Sequence, residues 1–233
     1  MAVDDNRRPI SQREHGWAKA LTRRLVRAGV TPNFISFTSI VFAALAGLCF
    51  YGIALAHNGG DRVLLCLGAA LFCQLRLIAN MMDGTVAVEG GKGGPDGPVW
   101  NELPDRFADI AILVGAGYGV AHLGLADASL GWAAAVAAVM TAYVREVAKS
   151  AGAPADFTGP MAKPHRMFVM TMAALLAIAE PMFAPILAST LGWETVGGSV
   201  QGVVVALALW VVLIGSTFTA LNRTRRALAF LRA

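Results

Sequence analysis

The chain is built from long apolar runs separated by short polar or Gly/Pro-rich pieces, and that pattern leaves few folds open to it. Crossing the hydrocarbon core of a bilayer takes about 20 mostly apolar residues per helix. Runs of that kind fall at 33–56, 63–88, 99–122, 129–149, 166–187 and 200–221. Composition agrees: 56% of the residues are hydrophobic and only 15% charged, against roughly 25% charged in soluble domains. Mean hydropathy is +0.59. The expected fold is an all-α integral membrane protein with six transmembrane helices, preceded by an N-terminal amphipathic interfacial helix. Three parts are expected: an interfacial segment at 1–31, a six-helix catalytic domain at 32–222 and a basic cytoplasmic tail at 223–233.

The interfacial helix is read from 17–30, where Trp17, Leu21, Leu25 and Ala28 recur at helical spacing while Lys19, Arg23 and Arg27 mostly face elsewhere. Thr31-Pro32-Asn33 then starts a new helix. The segment 89–98 is a Gly/Pro-rich loop, and 150–165, with three prolines, is a connection. Pro181 and Pro185 are expected to end or kink the fifth helix. The three cysteines, Cys49, Cys66 and Cys73, lie in apolar runs without CxxC spacing, so they read as small buried residues. No cleavable signal is evident at the start of the chain.

Charge placement sets the orientation. Arg7, Arg8, Arg13, Lys19, Arg23, Arg24 and Arg27 precede the first span, and Arg223, Arg225, Arg226 and Arg232 follow the last. Loops on the same side add Lys92, Lys149, Lys163 and Arg166, whereas the opposite loops offer little beyond Arg62. By the positive-inside rule both termini are cytoplasmic, in a bacterial inner or plasma membrane, and the basic ends meet anionic headgroups instead of nucleic acid.

Charged groups inside a span are costly and face a cavity or a partner. On the second span Arg76, Asn80, Asp83 and Ala87 recur at four, three and four residues and so share a face. On the third, Asn101, Asp105 and Asp109 recur every four, with Glu102 and Arg106 beside them. A short loop joins the two helices, so they are expected to be antiparallel neighbours whose polar faces meet near the cytoplasmic boundary. Three carboxylates brought together in low dielectric repel, and a divalent cation held by oxygen ligands is the simplest remedy. The alternative is structural ion pairing, of Asp83 with Arg76 and of Asp105 or Asp109 with Arg106. Gly84 and Ala87 leave room against the backbone for a nucleotide or diphosphate.

At these residues the sequence resembles the CDP-alcohol phosphotransferase family. The family motif is DxxDGxxAR, a spacer, then GxxxDxxxD. Here the corresponding stretches are Asn80-Met81-Met82-Asp83-Gly84-Thr85-Val86-Ala87-Val88, twelve residues, and Asn101-Glu102-Leu103-Pro104-Asp105-Arg106-Phe107-Ala108-Asp109. Thr31-Pro32-Asn33, Arg145-Glu146 and Lys163-Pro164-His165-Arg166 are also similar to family features at matching places. The resemblance implies one or two Mg²⁺ or Mn²⁺ ions held by Asp83, Asp105, Asp109 and Asn80, gripping the diphosphate of a CDP-alcohol, above all CDP-diacylglycerol. It implies that Asp109 deprotonates the acceptor hydroxyl, which attacks the β-phosphorus and expels CMP. Asn80, Asp83, Gly84 and Ala87 would seat the nucleotide and diphosphate. Lys163, Arg166 and Arg145 are candidate contacts for an acceptor phosphate, and a homodimer is implied.

Three positions depart from the motif: Asn80 stands for the first Asp, Val88 for the Arg and Asn101 for the second Gly. Asn80 keeps a carbonyl oxygen for a hard cation but removes one negative charge, so metal affinity is expected to fall. Glu102 is a candidate to restore the charge, and Arg76 or Arg106 to replace the missing phosphate-facing Arg. Two other readings of the same acids are an ion-coupled transporter and a catalytically silent scaffold. The acids cluster near one face and no inverted repeat is apparent, which counts against transport.

Overall fold

The computed structural model describes residues 15–91, 94–191 and 202–233. Its helices are α1 (Gly16–Arg27), α2 (Pro32–Ile53), α3 (Gly59–Glu89), α4 (Gly97–His122), α5 (Ser129–Ser150), α6 (Lys163–Leu191) and α7 (Val203–Leu231). Arg7, Arg8, Arg13 and Lys92, used above to argue orientation, lie outside the described residues, as does the start of the sixth run at 200.

Local signals set the boundaries. Thr31 caps α2 by accepting from the Phe34 amide at 3.3 Å, and Pro32 follows at the first helical position, where its missing N–H is harmless. Asn58 caps α3 through the Asp61 amide at 2.9 Å. Gly91 and Gly152, on either side of the later site, end α3 and α5 in left-handed backbone at φ +60° and +96°.

Among the described residues five helices, α2, α3, α5, α6 and α7, are long and apolar enough to cross a membrane. The 26-residue α4 is not one of the five; Glu102, Asp105, Arg106 and Asp109 load its first half with charge. The chain is an integral membrane protein. Helix α7 runs on to Leu231, so the segment after 222 continues the last span as helix.

Small residues decide which helices touch. A Cβ on Gly115 would collide with the backbone of Gly47, so α2 and α4 meet backbone to backbone. A Cβ on Gly117 would fall 2.5 Å from Gly131 Cα, which joins α4 to α5 in the same way. Both α3 and α4 pack along α2; α6 packs on α3, and α7 on α5 and α6. Contrary to expectation, α3 and α4 make few direct contacts with each other. The physical reason is the charged side chains between them, which need the space that glycines close elsewhere.

Two further elements gain detail. Helix α1 buries Ala18 and Thr22, with Leu21, Leu25 and Val26 packed against Met81, Met82 and Val86, while Trp17 and Ala28 are exposed. The small Ala18 and Thr22 allow close docking on α3, and Thr22 Oγ1 donates to Thr85 Oγ1 at 3.2 Å. Helix α6 continues through Pro181 and Pro185 to Leu191. Pro181 has no N–H for the Ala177 carbonyl four residues back. The Arg62 guanidinium supplies the donors instead, with Nη2 at 3.0 Å and Nε at 3.3 Å from that oxygen. Arg62 also pairs with Glu180, whose carboxylate accepts from the Gly202 and Val204 amides at 2.8 and 3.0 Å. A single buried ion pair thus repairs α6 and caps the start of α7.

Candidate active site

Successive helices alternate in direction, so the first turns of α2, α4 and α6 and the last turns of α3, α5 and α7 share one end of the bundle. They enclose a cleft of ≈ 1170 Å³ whose walls include Asn80, Asp83, Asp105, Arg145, Lys163 and Arg166. Gly84 and Ala87 also line it.

The three carboxylates hang from different supports. Asp83 on α3 accepts from the Ser36 hydroxyl of α2 at 2.9 Å and lies 2.5 Å from the Gly84 amide. Asp105 on α4 faces Arg76 Nη2 at 3.3 Å through Oδ1 and Arg106 Nη2 at 3.7 Å through Oδ2. Asp109, one turn further in, has no solvent exposure. Its Oδ1 accepts from Arg76 Nη2 at 3.2 Å and its Oδ2 from Arg166 Nη2 at 2.6 Å. Lys163, at the start of α6, brings its ammonium between Asn80 Oδ1 and Asp105 Oδ2.

Charge compensation therefore comes first from the protein. Arg76, Arg106 and Lys163 oppose Asp105, Arg76 and Arg166 oppose Asp109, and Asp83 is held by Ser36 and the Gly84 amide. The pairing of Asp83 with Arg76 weighed from the sequence is not the one formed; Arg76 reaches across to α4 and ties Asp105 to Asp109. Glu102 meets Arg145 Nη2 at 2.5 Å and Arg106 Nη2 at 3.6 Å, so its charge is committed to α4 and α5 cations. Arg145 also pairs with Glu146 at 2.8 Å and stacks over Phe157 at 4.9 Å. Asn101 and Val88 are exposed.

The donor chemistry suits a hard divalent cation: carboxylate oxygens, an amide carbonyl, and no sulfur or imidazole among them. Asp105 Oδ1 is buried and accepts no hydrogen bond, so it retains a lone pair for such a ligand. As the side chains stand, no three acidic, histidine or cysteine groups among the described residues are gathered into a ready cage.

Several contributors escaped the sequence reading. Ser36 lies within the first apolar run, where its sequence neighbourhood carries no signal of a site. Arg223, assigned to a basic tail, is buried; its Nε donates to the Thr158 carbonyl at 3.0 Å and its Nη1 to the Thr141 carbonyl at 2.6 Å. Thr141 Oγ1 in turn accepts from Arg166 Nη1 at 3.2 Å. A signal existed for Arg223: Ser216, Thr219 and Arg223 recur at helical spacing and all three are buried.

No protein-family model matches the chain. The phosphatidylinositol phosphate synthase of Mycolicibacterium smegmatis is 24% identical over 209 residues, 88% of this chain and 81% of that protein. The enzyme of the same name from Mycobacteroides abscessus is 27% identical over 161 residues, 67% of each. Among solved structures, the Mycobacterium tuberculosis phosphatidylinositol phosphate synthase in complex with manganese and citrate has a TM-score of 0.64 at 18% identity, covering 90% of this chain and 88% of that one. The same protein with CDP-DAG bound gives 0.63 at 18%, covering 89% and 92%. The solved structures share the fold of this chain.

Proposed function

We propose that the protein is a membrane phosphotransferase that moves a phosphatidyl group from CDP-diacylglycerol to an acceptor hydroxyl, releasing CMP, in phospholipid biosynthesis. The observation that carries this reading is the convergence of Asp83, Asp105, Lys163 and Arg166 on one cleft at a shared helix end, with Asp109 buried against Arg166. The relatives' name and the CDP-DAG-bound neighbour support the donor. The spans add α4 to the five apolar helices, with α1 lying in the interface and both termini cytoplasmic, in a bacterial inner membrane. The resemblance supports a homodimer.

Each residue has a task the geometry allows. Asp83 and Asp105 would hold Mg²⁺ or Mn²⁺, as the manganese-bound neighbour supports. A bound ion neutralises diphosphate charge and stabilises the leaving phosphate. Gly84 and Ala87 keep the wall of the cleft low where the nucleotide lies. Asp109 accepts the proton of the acceptor hydroxyl as its oxygen bonds to the β-phosphorus and the bond from that phosphorus to the bridging oxygen breaks. At rest Asp109 Oδ2 is covered by Arg166. An acceptor that carries a phosphate competes for that guanidinium and uncovers the base. Arg166, Arg145 and Arg223 line the same cleft and favour such a phosphorylated polyol.

The test is CMP release by purified protein with CDP-diacylglycerol, Mn²⁺ and a set of phosphorylated and neutral polyols, beside Asp109→Asn. Metal-dependent CMP release lost in the variant is the expected result. No release from folded protein with any acceptor would sink the transferase reading.

A further inference from the structure

We propose that the Lys163 ammonium is a resident cation standing in place of one divalent ion, so that the chain holds a single metal where its motif would otherwise suit two. The inference deepens the proposed function and rests on its reading of the cleft as a cation site. Lys163 leaves the first turn of α6 and is largely buried. Its ammonium contacts both Asn80 Oδ1 on α3 and Asp105 Oδ2 on α4. Those are two oxygens that an ion bridging the helices at this level would need. An ammonium has three donors and no acceptor, so it satisfies two oxygen lone pairs while excluding a second cation by volume and by like charge.

The charges balance. An Asp–Asp pair with a divalent ion sums to zero, and so does the neutral Asn80 with Asp105 and one ammonium. Asparagine at position 80 and lysine at position 163 are therefore matched halves of one arrangement. An aspartate at 80 with the ammonium in place would add a negative charge, and an asparagine without it would leave Asp105 Oδ2 with Arg106 at 3.7 Å as its nearest cation. Asp83 keeps its carboxylate on Ser36 and the Gly84 amide. Asp83 and Asp105 Oδ1, which faces Arg76 at 3.3 Å but accepts no hydrogen bond, are left for the one remaining ion.

The proposal is tested by counting Mn²⁺ on the purified full-length protein in detergent, by equilibrium dialysis with metal analysis and by electron paramagnetic resonance. Wild type is expected to saturate at one ion per chain with an uncoupled Mn²⁺ spectrum. The Asn80→Asp/Lys163→Met double variant is expected to take two, with an exchange-coupled signal. Two ions, or none, on wild type would overturn the proposal without recourse to any variant. A folded double variant that still binds one would overturn it too. CMP release measured on the same samples separates the two questions. Two ions with active protein defeats the inference and leaves the transferase; one ion with inactive protein does the reverse.

Discussion

Arg166 Nη2 donates to Asp109 Oδ2 at 2.6 Å, and both side chains are almost wholly out of contact with solvent. A second nitrogen, Nη1, is fixed by the Met161 carbonyl at 2.8 Å and Thr141 Oγ1 at 3.2 Å. The guanidinium is thus held at the edge of the cleft with its charge directed at the proposed base. Replacing Arg166 by Gln removes a charge-assisted hydrogen bond worth about 1.5–3 kcal/mol. For a phosphorylated acceptor kcat/KM should fall by about 10- to 100-fold, while the KM for CDP-diacylglycerol changes little. An equal loss for both substrates would assign Arg166 a purely structural task.

At the opposite end, Arg62 pairs with Glu180 and takes over the Ala177 carbonyl released by Pro181. Removing one member of a buried ion pair costs about 3–5 kcal/mol. Arg62→Met should lower the thermal unfolding midpoint in detergent sharply, and Arg62→Met/Glu180→Gln should recover part of the loss. Full stability in the single variant would show that the clamp is dispensable.

The backbone contact between α4 and α5 leaves no space for a side chain at Gly117. Gly117→Val should destabilise by about 1–3 kcal/mol or more through overpacking. Gly59→Ala is the control, because a Cβ there meets nothing within 4 Å. It replaces a helical glycine and should be neutral or stabilising by up to about 1 kcal/mol. Unfolding scans of the two variants side by side decide the matter.

The α5–α6 connection is tied to α7 through Asp156, which meets Arg226 Nε at 2.8 Å and accepts from the Thr158 amide and hydroxyl at 2.8 and 2.6 Å. Partial burial pulls the Asp156 carboxyl up, but those donors and the nearby Arg226 and Arg223 outweigh it and hold it below its usual value. A group lowered in the folded state stabilises above its unfolded pKa, about 3.9, and loses that contribution as pH falls through the folded value. The tie should hold at neutral pH and loosen only in strong acid. Limited proteolysis between 151 and 162 should therefore be pH-independent from 5 to 8 in wild type, and faster throughout in Asp156→Ala.

The sequence by itself determined the membrane class, the helix start at Thr31-Pro32, and the placing of Asp83, Asp105 and Asp109 on two polar faces. Those follow from hydropathy, capping chemistry and helical period, which are local and act within one turn or one span. Only the tertiary structure decided what each charge meets. Arg76 goes to α4 instead of its own neighbour Asp83, and Glu102 goes to Arg145. Lys163 arrives between Asn80 and Asp105 from positions 83 and 58 residues away in the chain. Pro181 fails to end its helix because Arg62, from α3, supplies the missing donor. Long flexible cations choose partners by which helices the glycine seams bring together. No spacing within a single helix contains that information.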